Sequence, residues 1–174
     1  MVGNWQTVYN GYMTDGRNES KVVRNGTGEA DLLVDFLNTI DIEDSTDDLA
    51  SAAGLRRWAA AHGLEAGGLE DARRTREALR SLVTGGRPDL PAVSLHPSCE
   101  GEGVSLRSNT VAEAALAATV VLSIQGKIGR VKLCQADTCR YAFVDRSRNG
   151  SRAWCSMEVC GNRAKARNFR SKPA

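Results

Sequence analysis

The sequence of 174 residues has no long apolar run, only two histidines and few aromatic side chains. Its longest apolar run, at residues 112–124, is shorter than the roughly 18 residues that a membrane-spanning helix needs. The N-terminus has no apolar stretch following basic residues, as a secretion signal would. We therefore expect a cytoplasmic protein that has no membrane partner.

The scarcity of histidines and aromatic residues argues against two further classes of function. His62 and His96 are isolated, so no set of nucleophile, histidine and acid can be assembled, and we expect no enzyme activity. Each histidine is predicted to be a surface or loop residue and not a metal ligand. Aromatic residues make up 5% of the chain, too few for a platform on which single-stranded nucleic acid stacks.

The net charge of +2 hides a strong asymmetry along the chain. Residues 127–174 contain twelve basic and three acidic residues, a net charge of +9, whereas residues 1–126 have a net charge of −7. An acidic body joined to a basic C-terminal segment is typical of a protein whose basic end binds a polyanion. An ordinary solvated charged surface is the alternative.

The hydrophobic pattern divides the chain into three parts. Residues 1–28 are polar and lack periodicity, which indicates a flexible N-terminal arm. Residues 29–126 are predicted to form a helical domain, and residues 127–174 a small separate domain, with Gly126 and Gly129 marking the hinge. Because only the helical part has enough apolar faces to bury a core of its own, we expect it to keep its helices unaided, whereas the segment from Lys127 should lose its structure when a bound metal is removed.

Four helices are predicted within the helical domain. The first, in EADLLVDFLNTID, places Leu32, Leu33, Phe36, Leu37 and Ile40 on one face. The second is predicted to be capped by Ser45 or Thr46 and stopped by His62-Gly63. The third, about 69–83, has an apolar face and a predicted outer face of arginines: Arg73, Arg74, Arg76 and Arg80.

A less regular region precedes the fourth helix. Two β-prone runs, Ala92–Leu95 and Val104–Arg107, are predicted to form a hairpin. Asn109 or Thr110 is predicted to cap the fourth helix, which extends to about Gln125.

Four of the five cysteines lie in the basic segment as two C-x4-C pairs separated by fifteen residues: Cys134, Cys139, Cys155 and Cys160. Four thiolates in so short a segment suit one tetrahedral, structural zinc ion, which would stabilise a segment with little else to bury. Reduced, free cysteines are the alternative, and Cys99 is predicted to take no part. Tyr141–Asp145 and Arg152–Trp154 are predicted strands around an Asn-Gly turn, followed by a basic helix at 163–170.

These residues resemble a known family. The run WCSMEVCGNRAKARNFR resembles the CGNR zinc finger, named for residues 160–163, and LCQADTCRYAFVDRSRNGSR resembles its first cysteine pair and its D-x-S-x-N-x-x-R stretch. Upstream, DLLVDFLNTID and LRRWAAAHGL resemble helices of the ABATE domain that usually precedes this finger. The resemblance implies one Zn²⁺ per chain held by Cys134, Cys139, Cys155 and Cys160.

The resemblance also implies a fold and a function. The fold class expected is mainly α with a small α+β element: a helical N-terminal domain followed by a four-cysteine zinc finger made of a short hairpin and a helix. The function implied is stress-related transcription regulation. A ligand-sensing or protein-interaction module, in which the finger is only a scaffold, is the alternative.

The charge pattern favours double-stranded DNA as the partner. The candidate DNA-binding residues are Arg146, Arg148, Arg152, Arg163, Lys165 and Arg167, which predict that log affinity falls with log salt at a slope of about −5. With Asn162 as the predicted cap of the last helix, Arg163 and Lys165 would lie in its first turn, where a bound phosphate would offset their unfavourable position.

The helical domain offers a second candidate site. Asp35 and Asn38 are three residues apart and so share one side of the first helix, where they are candidates for contact with a small ligand. A solvated helix face or local capping is the alternative. A small-molecule inducer or a protein partner at the helical domain, and a homodimer, are left open.

Overall fold

A computed structural model of the chain describes residues 28–100 and 103–170, so the predicted N-terminal arm lies, apart from Gly28, outside the described residues. Within them the chain forms α-helices joined by short antiparallel strand pairs, which confirms the predicted fold class. The helices are α1 (Glu29–Leu37), α2 (Ala52–Ala61), α3 (Leu69–Leu82), α4 (Val111–Ile124) and α5 (Asn162–Arg170). The strands are β1 (Ile40–Asp41), β2 (Thr46–Asp47), β3 (His96–Glu100), β4 (Gly103–Arg107), β5 (Val131–Leu133) and β6 (Ala142–Val144). Among the described residues, no helix has the length and apolar character needed to cross a bilayer.

Helix α4 is the centre of the molecule. It begins at a capping box, as predicted for Thr110: the Thr110 hydroxyl accepts a hydrogen bond from the Glu113 N–H, and the Glu113 carboxylate accepts one from the Thr110 N–H. Alanines and other small residues line most of its circumference and are buried, so α1 and α3 both pack closely against it. The apolar face of α1, Leu33, Phe36 and Leu37, forms part of the same core.

The segment between α1 and α2 differs from the prediction. Helix α1 ends at Leu37, and Ile40 lies instead in β1, which pairs with β2. Ser45 and Thr46 therefore do not cap α2. Ser51 does so, because its hydroxyl accepts a hydrogen bond from the Gly54 N–H at 3.1 Å. Gly54 is required at this contact, since a Cβ there would lie 1.9 Å from the main-chain oxygen of Asp48.

The prediction that the four arginines of α3 form an outer face is wrong, because two of them are buried. Arg76 is buried and pairs with both carboxylate oxygens of Asp47, at 2.5 and 2.9 Å. Burial opposes ionisation of Asp47, but its bonds with Arg76 and with the Leu49 N–H leave its pKa below the usual value. Arg80 is also buried, at 9% exposure, and donates to main-chain oxygens. A buried cation is tolerated only when such partners are present, and apolar periodicity does not reveal them.

The predicted hairpin before α4 forms, but its first strand is displaced. β3 begins at His96, beyond the predicted Ala92–Leu95, and pairs in antiparallel register with β4, with His96 opposite Arg107. Cys99 is exposed on this hairpin, opposite Val104, and lies apart from the other four cysteines.

The strand pair β5–β6 joins the basic segment to the helical core. Val131 pairs with Val144 and Leu133 with Ala142, so the prediction that Tyr141–Asp145 pairs with a second strand at Arg152–Trp154 is wrong. Val131, Leu133 and Ala142 are buried in the same cluster as α1 and α4. Packing is thus continuous across the predicted boundary at residue 126, and independent folding of the two parts stays a prediction.

His62 is partly buried, with 14% of its side chain exposed, and it lies in the turn after α2. It caps the C-terminal end of α2, and Gly63 follows with a φ of 66°, so the predicted helix stop is confirmed. Its ring stacks on Trp58 with a centroid distance of 3.8 Å, its Nδ1 lies 2.8 Å from the Trp58 carbonyl oxygen, and its Nε2 lies 3.7 Å from Asp35. Burial lowers the pKa of His62, but Asp35 and the Trp58 carbonyl outweigh it, and the net pKa is raised.

This raised pKa predicts a pH-dependent stability. The contribution of protonated His62 is complete below its unfolded-state pKa of about 6.5 and is lost as the pH rises through the higher folded-state pKa. We expect His62→Gln to lower the free energy of unfolding, measured by urea denaturation, more in mildly acidic than in mildly alkaline buffer. Asp35→Asn should reduce the same pH dependence. An equal loss from His62→Gln in both buffers would contradict this assignment.

Candidate metal centre

The four cysteines predicted as ligands come together at one point. Their sulfur atoms all lie within 4.8 Å of one another, with Cys139 Sγ 3.6 Å from Cys155 Sγ and Cys155 Sγ 3.8 Å from Cys160 Sγ. Cys134, Cys139 and Cys160 are buried, and Cys155 is half-buried. Both cysteine pairs therefore contribute to a single four-sulfur site.

The first pair is positioned by the strand pair β5–β6. Cys134 directly follows β5, and its N–H donates to the Tyr141 carbonyl at 2.8 Å, which extends the pairing by one step. A tight turn then returns the chain, because the N–H groups of Cys139 and Arg140 both donate to the Ala136 carbonyl, at 2.9 and 3.0 Å. The turn brings Cys139 back beside Cys134.

The second pair is positioned by one helical turn. Arg152 Nη2 donates to the Cys155 carbonyl at 2.7 Å, and the Arg152 guanidinium lies over the Phe143 ring at 5.2 Å. After Cys155 the chain makes a single π-helical turn, Met157–Gly161, which presents Cys160 to the same sulfur cluster. A side chain at Gly161 would crowd this turn, since a Cβ there would lie 2.6 Å from Met157 Sδ and 3.3 Å from Trp154 Cδ1.

The prediction that Asn162 is the N-cap of the last helix is wrong. The cap is Ser156, whose hydroxyl accepts a hydrogen bond from the Val159 N–H, and the π-helical turn runs directly into α5. Asn162 Nδ2 instead donates to the Glu158 carbonyl at 3.0 Å. In the continuous helical segment that begins at Met157, Arg163 and Lys165 lie beyond the first turn, so the argument for a phosphate at the helix N-terminus does not apply.

Four neighbouring thiols cannot all ionise without a cation. Hydrogen bonding from the Cys155 thiol lowers the pKa of Cys139 to about 5, and the resulting thiolate raises the pKa of Cys155. Burial, together with the neighbouring sulfurs, raises the pKa of Cys160 to about 12. A bound divalent cation removes this opposition.

The residues present fit zinc in number, chemistry and spacing. Zinc takes four thiolates in a tetrahedron, and Zn–S bonds of about 2.3 Å place the sulfurs about 3.8 Å apart. The observed separations of 3.6 and 3.8 Å agree with that spacing. The site can therefore hold a metal ion, and its donor set is consistent with zinc.

The loop between the two pairs is closed by Asp145. This buried carboxylate accepts hydrogen bonds from Lys132 Nζ at 2.7 Å, from the Ser147 hydroxyl at 2.6 Å and from the Arg152 N–H at 2.9 Å. Burial opposes ionisation of Asp145, but these donors outweigh it and its pKa is strongly lowered. Lys132 Nζ also donates to the carbonyls of Gly150 and Arg152, so one ammonium group ties both sides of the loop.

The structure separates the six candidate DNA-binding residues into two groups. Arg152 is bound to the finger's own main chain, Arg146 pairs with Asp31 at 3.3 Å, and Arg163 pairs with Glu43 at 2.9 Å. The pair with Glu43 raises the pKa of Arg163. The other three are exposed, and no intramolecular ion pair of theirs occurs among the described residues: Arg148, Lys165 and Arg167.

Asp35 and Asn38 do not face a common space. Asp35 lies beside His62, and its side chain is 60% exposed. Asn38 binds the main chain of Ala142: its Nδ2 donates to the Ala142 carbonyl at 3.0 Å, and its Oδ1 accepts from the Ala142 N–H at 2.7 Å. The side chain of Asn38 is thus used in intramolecular hydrogen bonds. A role of Asp35 and Asn38 in binding a small ligand stays a prediction.

Sequence reasoning missed the residues that hold the finger in place. Asp145 had a signal, because it opens the D-x-S-x-N-x-x-R stretch. Lys132 and Arg80 had none, since each acts through main-chain carbonyls that are distant in sequence.

Comparison with protein families agrees with this site. The family model described as the CGNR zinc finger matches residues 130–172, which include all four cysteines. The ABATE family model, described as "Putative stress-induced transcription regulator", matches residues 30–126, more than half of the chain. Comparison with curated proteins gives no significant match. The chain therefore belongs to the ABATE family and carries a CGNR zinc finger after its ABATE domain.

Proposed function

We propose that this protein is a transcription regulator that binds double-stranded DNA through its finger, which one zinc ion stabilises. The observation that carries the proposal is helix α5, which follows Cys160 along the chain and carries exposed cations. The family's description as a stress-induced transcription regulator supports the same function.

Zinc has a structural role in this proposal. Four protein sulfurs complete the coordination of zinc and leave no position for water or substrate, so the site would hold the fold and catalyse nothing. When bound, zinc supplies a cation that fixes both cysteine pairs and thereby the start of α5. The finger has little apolar material of its own beyond the hairpin, which makes such stabilisation necessary.

Helix α5 has the surface needed for contact with DNA. Ala164 is buried, whereas Lys165, Arg167 and Arg170 are exposed and Phe169 is 82% exposed. An α-helix fits the major groove of B-DNA, and lysine and arginine side chains contact phosphates and guanine edges from there. Outside α5, the 145–152 loop, which Asp145 closes, carries the exposed Arg148.

Acidic residues of the ABATE domain compete for the same cations. Glu43 pairs with Arg163 and Asp31 pairs with Arg146, so phosphates would have to displace a carboxylate at each. We therefore expect four other exposed cations of α5 and of the 145–152 loop, Arg148, Lys165, Arg167 and Arg170, to contact DNA first. They predict a slope of about −3 to −4 for log affinity against log salt, shallower than the value of about −5 that the sequence predicts.

The first test is the metal content of the purified chain. We expect one zinc per chain by elemental analysis, because the four sulfurs form one site. Cys134→Ser combined with Cys160→Ser should abolish zinc binding, whereas Cys99→Ser should leave it unchanged since Cys99 lies elsewhere. Zinc retained by the double variant would reject this ligand set.

Removing the metal should unfold only part of the basic segment. Burial of Val131 and Leu133 in the helical core stabilises the hairpin by about 1.5–3 kcal/mol for each side chain, without metal. After treatment with a chelator, we expect the amides of α5 to lose protection in hydrogen exchange while those of β5 and β6 keep it. Loss of protection in helices and hairpin together would show that the metal stabilises the whole molecule.

The DNA proposal is tested by charge reversal. We expect Lys165→Glu and Arg148→Glu each to weaken binding to a random-sequence duplex, measured by fluorescence anisotropy across a salt series, because each removes a phosphate contact. Arg57→Glu is the matched control, since it makes the same charge change at an exposed position on α2. Zinc content should stay at the wild-type value in all three variants.

A complementary variant should increase the affinity. Glu43→Gln frees Arg163 for phosphate, so we expect tighter binding than in Glu70→Gln, which removes an exposed acid on α3 with no ion pair among the described residues. DNA binding would be rejected if the protein had no affinity for the duplex at low salt. It would also be rejected if Lys165→Glu and Arg148→Glu bound the duplex as tightly as the wild type does. The ligand-sensing or protein-interaction module would then be the better assignment.

A further inference from the structure

We propose that Arg80 and Asn38 of the ABATE domain are positioning residues for the metal centre and that they set the metal affinity of the finger. Neither residue contacts a sulfur atom. They hold the main chain at Arg140 and Ala142, next to Cys139. This inference depends on the metal site proposed above and is independent of DNA binding.

Arg80 joins the two parts of the molecule through one buried guanidinium group. Its Nη1 donates to the Leu37 carbonyl at the end of α1 at 2.7 Å, and its Nη2 donates to the Arg140 carbonyl at 2.9 Å. Arg140 directly follows the ligand Cys139 and has a φ of 53°, a left-handed conformation that residues with a side chain rarely adopt. The bond from Arg80 thus holds the peptide group that this unusual conformation orients.

Asn38 fixes the chain two residues further on. Its side-chain amide forms both possible main-chain hydrogen bonds with Ala142, as a neighbouring strand would. Ala142 is also paired with Leu133, which precedes the ligand Cys134, and the Tyr141 carbonyl accepts from the Cys134 N–H. Asn38 therefore fixes the point at which the chain from Cys139 rejoins the strand that carries Cys134.

These contacts determine the geometry of the first cysteine pair before any metal binds. Residues 139–142 are held at Arg140 by Arg80 and at Ala142 by Asn38, which limits how far Cys139 can move from Cys134. A preorganised pair binds metal more tightly because less conformational freedom is lost on binding. Residues that orient metal ligands typically change affinity by about 10–100-fold when they are altered.

The chemistry of both residues suits this role. The Arg80 guanidinium donates from two separate nitrogens fixed in one rigid plane, one to each segment, whereas a lysine would have to reach both carbonyls from a single nitrogen on a flexible stem. A side-chain amide both donates and accepts, whereas the carboxylate of aspartate can only accept. Arg80→Lys and Asn38→Asp are thus conservative in size and specific for the proposed contacts.

The experiment measures the zinc affinity of the full chain by competition with a chromophoric chelator. We expect Arg80→Lys and Asn38→Asp each to weaken zinc binding by about 10–100-fold. The matched control is Arg73→Lys, on the same helix: Arg73 also donates to two main-chain carbonyls, those of Leu49 and Ala50 at 2.7 and 2.8 Å, but both lie within the ABATE domain. Its zinc affinity should equal that of the wild type.

Two further measurements separate positioning from general loss of stability. Cobalt in place of zinc should give the tetrahedral four-thiolate absorption spectrum in the wild type and in Arg73→Lys, and an altered spectrum in Arg80→Lys and Asn38→Asp. By reciprocity, zinc should raise the melting temperature of the wild type by more than that of either positioning variant. Circular dichroism establishes that each variant is folded, and Asn38→Asp decides the test if Arg80→Lys does not fold.

Each contrary result has a distinct meaning. Zinc affinities and cobalt spectra of the folded positioning variants that equal those of Arg73→Lys would overturn the inference and leave the metal site intact. A wild-type chain that binds no zinc would overturn the metal site and this inference with it.

Discussion

The antiparallel pairing of β5 with β6 is the constraint on which the rest of the structure depends. One side of this short hairpin is buried against α1 and α4, where Val131, Leu133 and Ala142 complete the helical core. The connection between its two strands carries the first cysteine pair, and the loop that follows β6 leads to the second. The finger is therefore built outward from the ABATE core, and the four-sulfur site inherits its position from helices that supply none of its ligands.

The charge of the basic segment is divided between internal and external roles. Arg130, Lys132 and Arg152 donate to main-chain carbonyls of the finger, where they satisfy a loop that has almost no apolar side chains of its own. Arg146 and Arg163 pair with acids of the ABATE domain. A net charge of +9 thus overstates the cations available to a polyanion, and the exposed remainder, which includes Lys127, Arg148 and the cations of α5, is what an external partner can reach.

The sequence predicts those features that depend on neighbouring residues. The capping box at Thr110, the stop after His62 and the last helix follow from local patterns, and the structure confirms them. The four ligand candidates were recognisable because zinc chemistry imposes a spacing that survives in the sequence. The family resemblance identified both domains in their order along the chain.

Features that depend on distant partners could not be predicted in this way. Arg76 and Arg80 look solvent-exposed by periodicity, but each is buried because an acid or a carbonyl from another segment satisfies it. Likewise, Asn38 looks like a polar residue on a helix face, whereas it binds the main chain 104 residues away. The strand partner of Ala142–Val144 was misassigned because β5 lies before the first cysteine pair, and a nearer run with an Asn-Gly turn looked like the simpler hairpin.

The closure of the 145–152 loop also bears on the order in which the metal centre assembles. Hydrogen bonds of Asp145, Lys132 and Arg152 close the chain between Cys139 and Cys155. They hold the second cysteine pair close to the first even without a metal. The entropy of closing a loop grows only with the logarithm of its length, but here most of that cost is met by contacts that need no metal. Cys134 and Cys139 would therefore bind a metal ion first and Cys155 and Cys160 last, and Cys155 and Cys160 would be the first to release it. Metal exchange would then begin at Cys155, the most accessible of the four sulfur ligands.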